Sequence, residues 1–153
     1  MKIYRKEWEV LLPGKIDTIW QFFSRPENLN DITPKDMAFE IISDIKNQAM
    51  YEGMLIQYKV SPILNIKMNW LTEITHIKEH EYFIDEQRFG PYALWHHQHH
   101  FKEVDGGILM KDILHYAIPL GILGQMANGI FVSKKVSSIF DYRERVVQEI
   151  FNE

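Results

Sequence analysis

Residues 3–12 are rich in aromatic and branched side chains and end at Pro13-Gly14, a pattern that predicts a first strand closed by a turn. Asp17 then stands where a helix would take its cap or first-turn acid, and Ile19, Trp20, Phe22 and Phe23 form an apolar helical face before Arg25-Pro26 stops it. Pro26, Asn28, Asp31 and Pro34 punctuate the next stretch, leaving room for one more helical turn around Leu29 and Ile32. From Met37 the alternation becomes strand-like, over 37–45, 54–61, 66–78, 82–89, 94–104 and 108–118. The breaks at Glu52-Gly53, Ser61-Pro62, Glu79-His80, Gly90-Pro91 and Asp105-Gly106-Gly107 are short enough for antiparallel hairpins. Past Pro119, the residues Met126, Ile130, Val136, Ile139, Phe140, Val147, Ile150 and Phe151 recur at three- and four-residue spacing, as in a long amphipathic helix. The order predicts an α+β domain in which a curved seven-stranded antiparallel sheet packs against one long C-terminal helix, with two short helices after the first strand.

A length of 153 residues, without repeat or linker, predicts one domain over 1–153. With 46% hydrophobic and 25% charged residues the chain has the balance of a globular protein, and a net charge of -4 removes the main attraction to nucleic acid. Cysteine is absent, which excludes disulfides, thiolate metal sites and a cysteine nucleophile and points to the cytoplasm. The N-terminus has no apolar run behind its basic start, so no secretory signal is expected. Residues 113–133 carry no charge and are long enough to span a bilayer, but Pro119, Gly121, Gly124, Gln125, Asn128 and Gly129 interrupt them, so no transmembrane segment is expected either.

Strand parity places polar groups among aromatics on the faces expected to point inward. Trp95, His97, His99 and Phe101 share one face of their strand; Asp85 and Gln87 share a face with Phe83 and Phe89; Asp112 shares one with Met110, Leu114 and Tyr116; and Trp70 shares one with Met68, Thr72, Ile74 and His76. A sealed core rarely keeps Asp, Gln and His, because burying them unpaired costs several kcal/mol. A ligand cavity explains them, its walls formed by Tyr58, Trp70, Asp85, Gln87, Trp95, His97, His99, Phe101, Asp112 and Tyr116. The alternative is an internal network in which Asp85 or Asp112 bonds His97 or His99 and pins the sheet.

The run from Asp85 to Phe101, DEQRFGPYALWHHQHHF, resembles a signature of the ligand-binding SRPBCC proteins, relatives of START domains, polyketide cyclases and pollen allergens. Leu12-Pro13, Asn28-Leu29, Gly53, Tyr58, Trp70, Asp112, Tyr116, Pro119-Leu120-Gly121 and Phe140-Tyr142-Arg143 extend the resemblance over nearly the whole chain, with 61–67 matching least. It implies a helix-grip fold around a hydrophobic cavity, in a subgroup loosely labelled cell-division-inhibitor-like. One fold can host binding, transport or cyclase chemistry, so function transfers weakly.

The first expectation is binding of a small hydrophobic or aromatic molecule, a lipid, sterol or polyketide, with no cofactor and no indicated protein partner. The second is cyclase or dehydratase chemistry, with His97 or His99 as general base oriented by Asp85 or Asp112. A metal held by His97, His99 and a carboxylate is weighed and set aside, because strand spacing of this kind is common and no helical HExxH supports it. GxSxG and glycine-rich phosphate loops are absent. A third class, a protein-interaction module, would use 121–133 as an exposed apolar patch.

Overall fold

The computed structural model describes residues 1–61 and 66–152. Strand β1 (Tyr4–Leu12) runs into helix α1 (Ile16–Phe23) and two 3-10 turns, Pro26–Asn30 and Lys35–Met37. Strands β2 (Glu40–Ile41), β3 (Leu55–Val60), β4 (Met68–Lys78), β5 (Tyr82–Phe89), β6 (Leu94–Val104) and β7 (Gly107–Ala117) follow, then α2 (Gly121–Ala127), a π turn (Asn128–Val132) and α3 (Ser133–Phe151). The sheet is a single antiparallel one in the order β1-β7-β6-β5-β4-β3-β2. Consecutive hairpins make the meander, and β1 returns to pair along its whole length with β7, from Tyr4 opposite Tyr116 to Leu12 opposite Ile108. The part of the expected Ser61-Pro62 turn beyond Ser61 lies outside the described residues. No helix among the described residues is long and apolar enough to cross a membrane.

Helix α3 lies over the inner face of the sheet because its buried stripe, Val136, Phe140 and Val147, has nowhere else to go. The Phe140 ring stacks on Trp8 of β1 at 4.0 Å, and Lys6 of the same strand donates to Ser137 Oγ at 2.6 Å. One apolar cluster, built on Leu12, Ile19, Trp20, Phe23 and Phe101, fills the end under α1. A second, built on Leu114, Tyr116, Val132, Val136 and Phe140, fills the end where α2 meets α3.

Three expectations are corrected. The second strand, expected over 37–45, shrinks to Glu40 and Ile41. Beyond it Asn47 turns left-handed at φ 59°, Met50 N–H donates to Ser24 O at 2.7 Å, and the segment sinks Ile45 and Met50 into the core instead of pairing. In β4 the register slips between Ile74 and His76, so that Ile77 opposes Phe83 on the inner side and His76 turns to solvent. A second slip at Leu71/Thr72 leaves Phe89 outside at 64% exposure. The C-terminal helix, finally, is interrupted by the π turn. That change of phase leaves Met126 and Ile130 on the outside, where they join Leu120, Ile122, Leu123 and Phe131 in an exposed apolar patch.

Candidate functional site

The register of three neighbouring strands builds the centre of the inner face. His97 lies opposite Asp85 on β5, and His99 lies opposite Asp112 on β7. Side chains directly opposite are closest and diagonal ones remain within reach of an imidazole, so each histidine meets both acids. His97 Nε2 donates to Asp112 Oδ1 at 2.8 Å and its Nδ1 faces Asp85 Oδ2 at 3.3 Å; His99 Nε2 donates to the same Asp85 oxygen at 2.8 Å. His99 Nδ1 lies 3.0 Å from Asp112 Oδ1 but off the hydrogen-bonding direction, and it is buried without a partner.

Both acids and both histidines in this quartet are well shielded from solvent, with Asp85 the most open. Burial alone would raise the Asp85 and Asp112 carboxyls, yet the imidazoles beside them hold both below the usual carboxylate range. Burial would likewise lower His97; the Asp85 and Asp112 carboxylates override it and raise its basicity. An ionised carboxylate can only accept, so a His97 that faces one at each ring nitrogen is satisfied as imidazolium. Phe83 stacks on the His99 ring at 4.1 Å, and Phe140 stands edge-on to His97 at 5.1 Å.

In front of the quartet, between β3–β6, the 3-10 turns and α3, lies a cavity of about 120 Å³. Tyr58, Trp70, Asp85, Trp95, His97 and His99, all expected at the site, line it. Trp70 and Trp95 meet edge to face at 5.2 Å, and Thr72 Oγ1 accepts from Trp70 Nε1 at 3.0 Å and lies 2.8 Å from the Tyr58 hydroxyl. Burial, with Asp85 nearby, pushes the Tyr58 hydroxyl far up, so it stays protonated.

The other four expected residues stand away from this wall. Gln87 folds back onto the loop after β5, where its amide donates to Tyr92 O at 2.7 Å and accepts from Tyr92 N–H at 3.1 Å. Phe101 belongs to the apolar cluster under α1. Asp112 sits behind the two histidines and borders a separate small cleft beside Trp8 and Phe140. Tyr116 is fully buried and donates to Asn128 Oδ1 at 2.8 Å.

Parity reasoning missed Tyr92, Ile139 and Arg143, which also line the cavity. The signal for Ile139 and Arg143 was present, since they stand four apart on α3 beside Phe140; Tyr92 lies in a loop, where parity says nothing. Asp85, His97 and His99 bring one ligand atom each within 4.8 Å of one another and are, among the described residues, the group that could hold a metal. Their donor atoms already face one another and Asp112 in ion-pair contact.

No family model matches the chain, and no curated protein matches it. Solved structures do. A protein from Chromobacterium violaceum aligns with a TM-score of 0.73 at 8% identity over 97% of both chains. Major latex-like protein 151 from Panax ginseng aligns with a TM-score of 0.70 at 13% identity, again over 97% of both. A START superfamily protein from Mycobacterium smegmatis gives 0.63 at 13% identity, over 98% of this chain and 97% of that one. At such identities the likeness concerns the backbone, and it agrees with the sheet order and the gripping last helix: the chain has a helix-grip fold, the fold expected from its sequence, like that of these START and latex-like structures.

Proposed function

We propose that the protein binds a small hydrophobic or aromatic molecule in the cavity between its sheet and α3. The observation that carries this reading is the cavity itself, an aromatic-walled space in a region that a packed domain would fill with side chains. Tyr58, Trp70 and Trp95 would hold the apolar body, while Asp85, His97 and His99 form a polar wall; Gln87, Phe101, Asp112 and Tyr116 support these residues from behind. A volume of about 120 Å³ suits an aromatic ring system or a medium-length chain better than a sterol. The cysteine-free composition agrees with a cytoplasmic carrier or receptor.

The cluster of Asp85, His97 and His99 at the cavity wall favours one second reading, cyclisation or dehydration by a His/Asp acid–base pair. Native mass spectrometry of the gently purified protein, followed by extraction of the co-purifying molecule, tests both. A bound apolar compound recovered unchanged supports binding, and a mixture of substrate and dehydrated or cyclised product supports catalysis. A bound ligand at a hundred times its Kd should raise the melting temperature by about 5 °C or more. A protein that carries nothing and is stabilised by no member of an apolar library would refute the binding reading.

A further inference from the structure

A guanidinium inside an apolar wall needs an anion, because its charge cannot be shed by deprotonation and its lost hydration has to be replaced. Arg143 projects from α3 into the cavity wall one turn after Ile139. Arg143 is half-buried, yet its Nε is fully enclosed and donates to nothing, and its Cζ stands 5.0 Å from the centroid of the Phe140 ring. Arg5, Arg25 and Arg88 are each matched with a glutamate, whereas Arg143 and the exposed Arg145 have no ion pair among the described residues, and of these two only Arg143 lines the cavity. Asp85 on the cavity wall and Asp112 in the small cleft that Arg143 also borders are shared between His97 and His99, Glu9 of that cleft is paired with Lys111, and Glu144, next to Arg143 on α3, makes no ion pair with it. Other polar groups of the wall are satisfied internally, with Asn28 donating to Phe22 O, Thr33 to Leu29 O, and Thr72 joined to both Trp70 and Tyr58, the exception being His99 Nδ1, which makes no hydrogen bond although the Asp112 carboxylate lies 3.0 Å away.

We propose that Arg143 is the anion-recognising group of the cavity and that the ligand is an amphipathic carboxylic acid, its apolar body against the Trp70–Trp95 wall and its carboxylate on the Arg143 guanidinium. This inference rests on the ligand-binding reading above and narrows it. A carboxylate matches the planar two-donor fork of arginine, and one charge answers one charge in a wall where Arg25 and Asp85 already have partners of opposite charge. The ligand then supplies the partner that the fold withholds.

Matched acid and alcohol pairs test it: octanoate with octanol, decanoate with decanol, and 1-naphthoate with 1-naphthalenemethanol, titrated calorimetrically into the wild-type protein, Arg143→Gln and Arg143→Lys. The wild type should bind at least one acid about tenfold or more tightly than its alcohol. Arg143→Gln should abolish that preference. Arg143→Lys, which keeps the charge but not the fork, should reduce it, and decides the question if the Gln protein does not fold. Alcohols binding as tightly as their acids would overturn the inference and leave the cavity reading standing. A preference that survives both Arg143 substitutions, or that is lost in Arg25→Gln instead, would also overturn it. Failure of all six compounds to bind would overturn it too, while the binding reading falls only if the wider apolar library fails as well.

Discussion

At the scale of single residues, adjacent histidines with the same chemistry should behave differently. His97 is 3% exposed and meets two carboxylates, whereas His96 lies on the outer face, where its Nδ1 meets Glu86 at 2.9 Å. His97→Phe removes the hydrogen bond to Asp112 and leaves Asp85 to His99 alone, and should cost about 3 kcal/mol in urea unfolding, against about 0.5 kcal/mol for His96→Phe. Equal losses would mean that the quartet does not hold the sheet together. The quartet also sets a pH profile. Asp85 and Asp112 are depressed in the fold, so their contribution is present above the unfolded carboxylate value of about 4 and is lost as pH falls through their lower folded values. His97 is raised, so its contribution is complete below about 6.5 and is lost as pH rises through its folded value. Stability should therefore be greatest between about pH 4 and 6.5 and fall on both sides, and in Asp112→Asn the acid limb should shrink. The face of all four residues was legible from parity, because β5, β6 and β7 pair without a bulge where these residues sit. Their closure on one another was not, since it depends on which strands are neighbours and in what register. His76 was misplaced for the converse reason: a one-residue slip in β4 reverses parity without leaving a mark in the hydrophobic pattern.

Secondary-structure elements add a different kind of information, because their ends were harder to read than their existence. Residues 37–45 have a strand-like composition, yet regular pairing stops after Ile41, where the Ile42 and Ser43 N–H groups both donate to Gln57 O of β3. The last helix was legible as an apolar repeat, but the repeat runs straight through a π turn that moves Met126 and Ile130 off the buried stripe. Two glycines near that turn make opposite predictions. At Gly124 an added Cβ would stand 2.0 Å from Pro119 O, so Gly124→Ala should destabilise the α2 end despite the better helix propensity of alanine. At Gly129 nothing lies within 4 Å, so Gly129→Ala should gain up to about 1 kcal/mol. Thermal melts of the two proteins should move in opposite directions. Phe140→Ala, which removes the ring stacked on Trp8 and edge-on to His97, should cost about 3 to 5 kcal/mol.

For the whole molecule, the meander from β3 to β7 follows from short turns between alternating segments, and that much of the sheet was legible residue by residue. What no local pattern carries is the place of β1, whose partner is the last strand and not the next one. Helix α3 depends on that pairing, since Phe140 and Ser137 meet Trp8 and Lys6 of β1. A chain ending before Val136 should lose cooperative unfolding altogether, because several buried side chains at about 1.5 to 3 kcal/mol each exceed the margin of a small domain. The union of β1 with β7 also bears on how the protein is made. On a ribosome adding about 5 to 20 residues per second, the first strand leaves the exit tunnel roughly 5 to 20 seconds before its partner strand leaves it. For that interval Trp8, Val10 and Leu12 have no sheet to join, which makes the nascent chain a client for whatever shields apolar segments at the tunnel mouth.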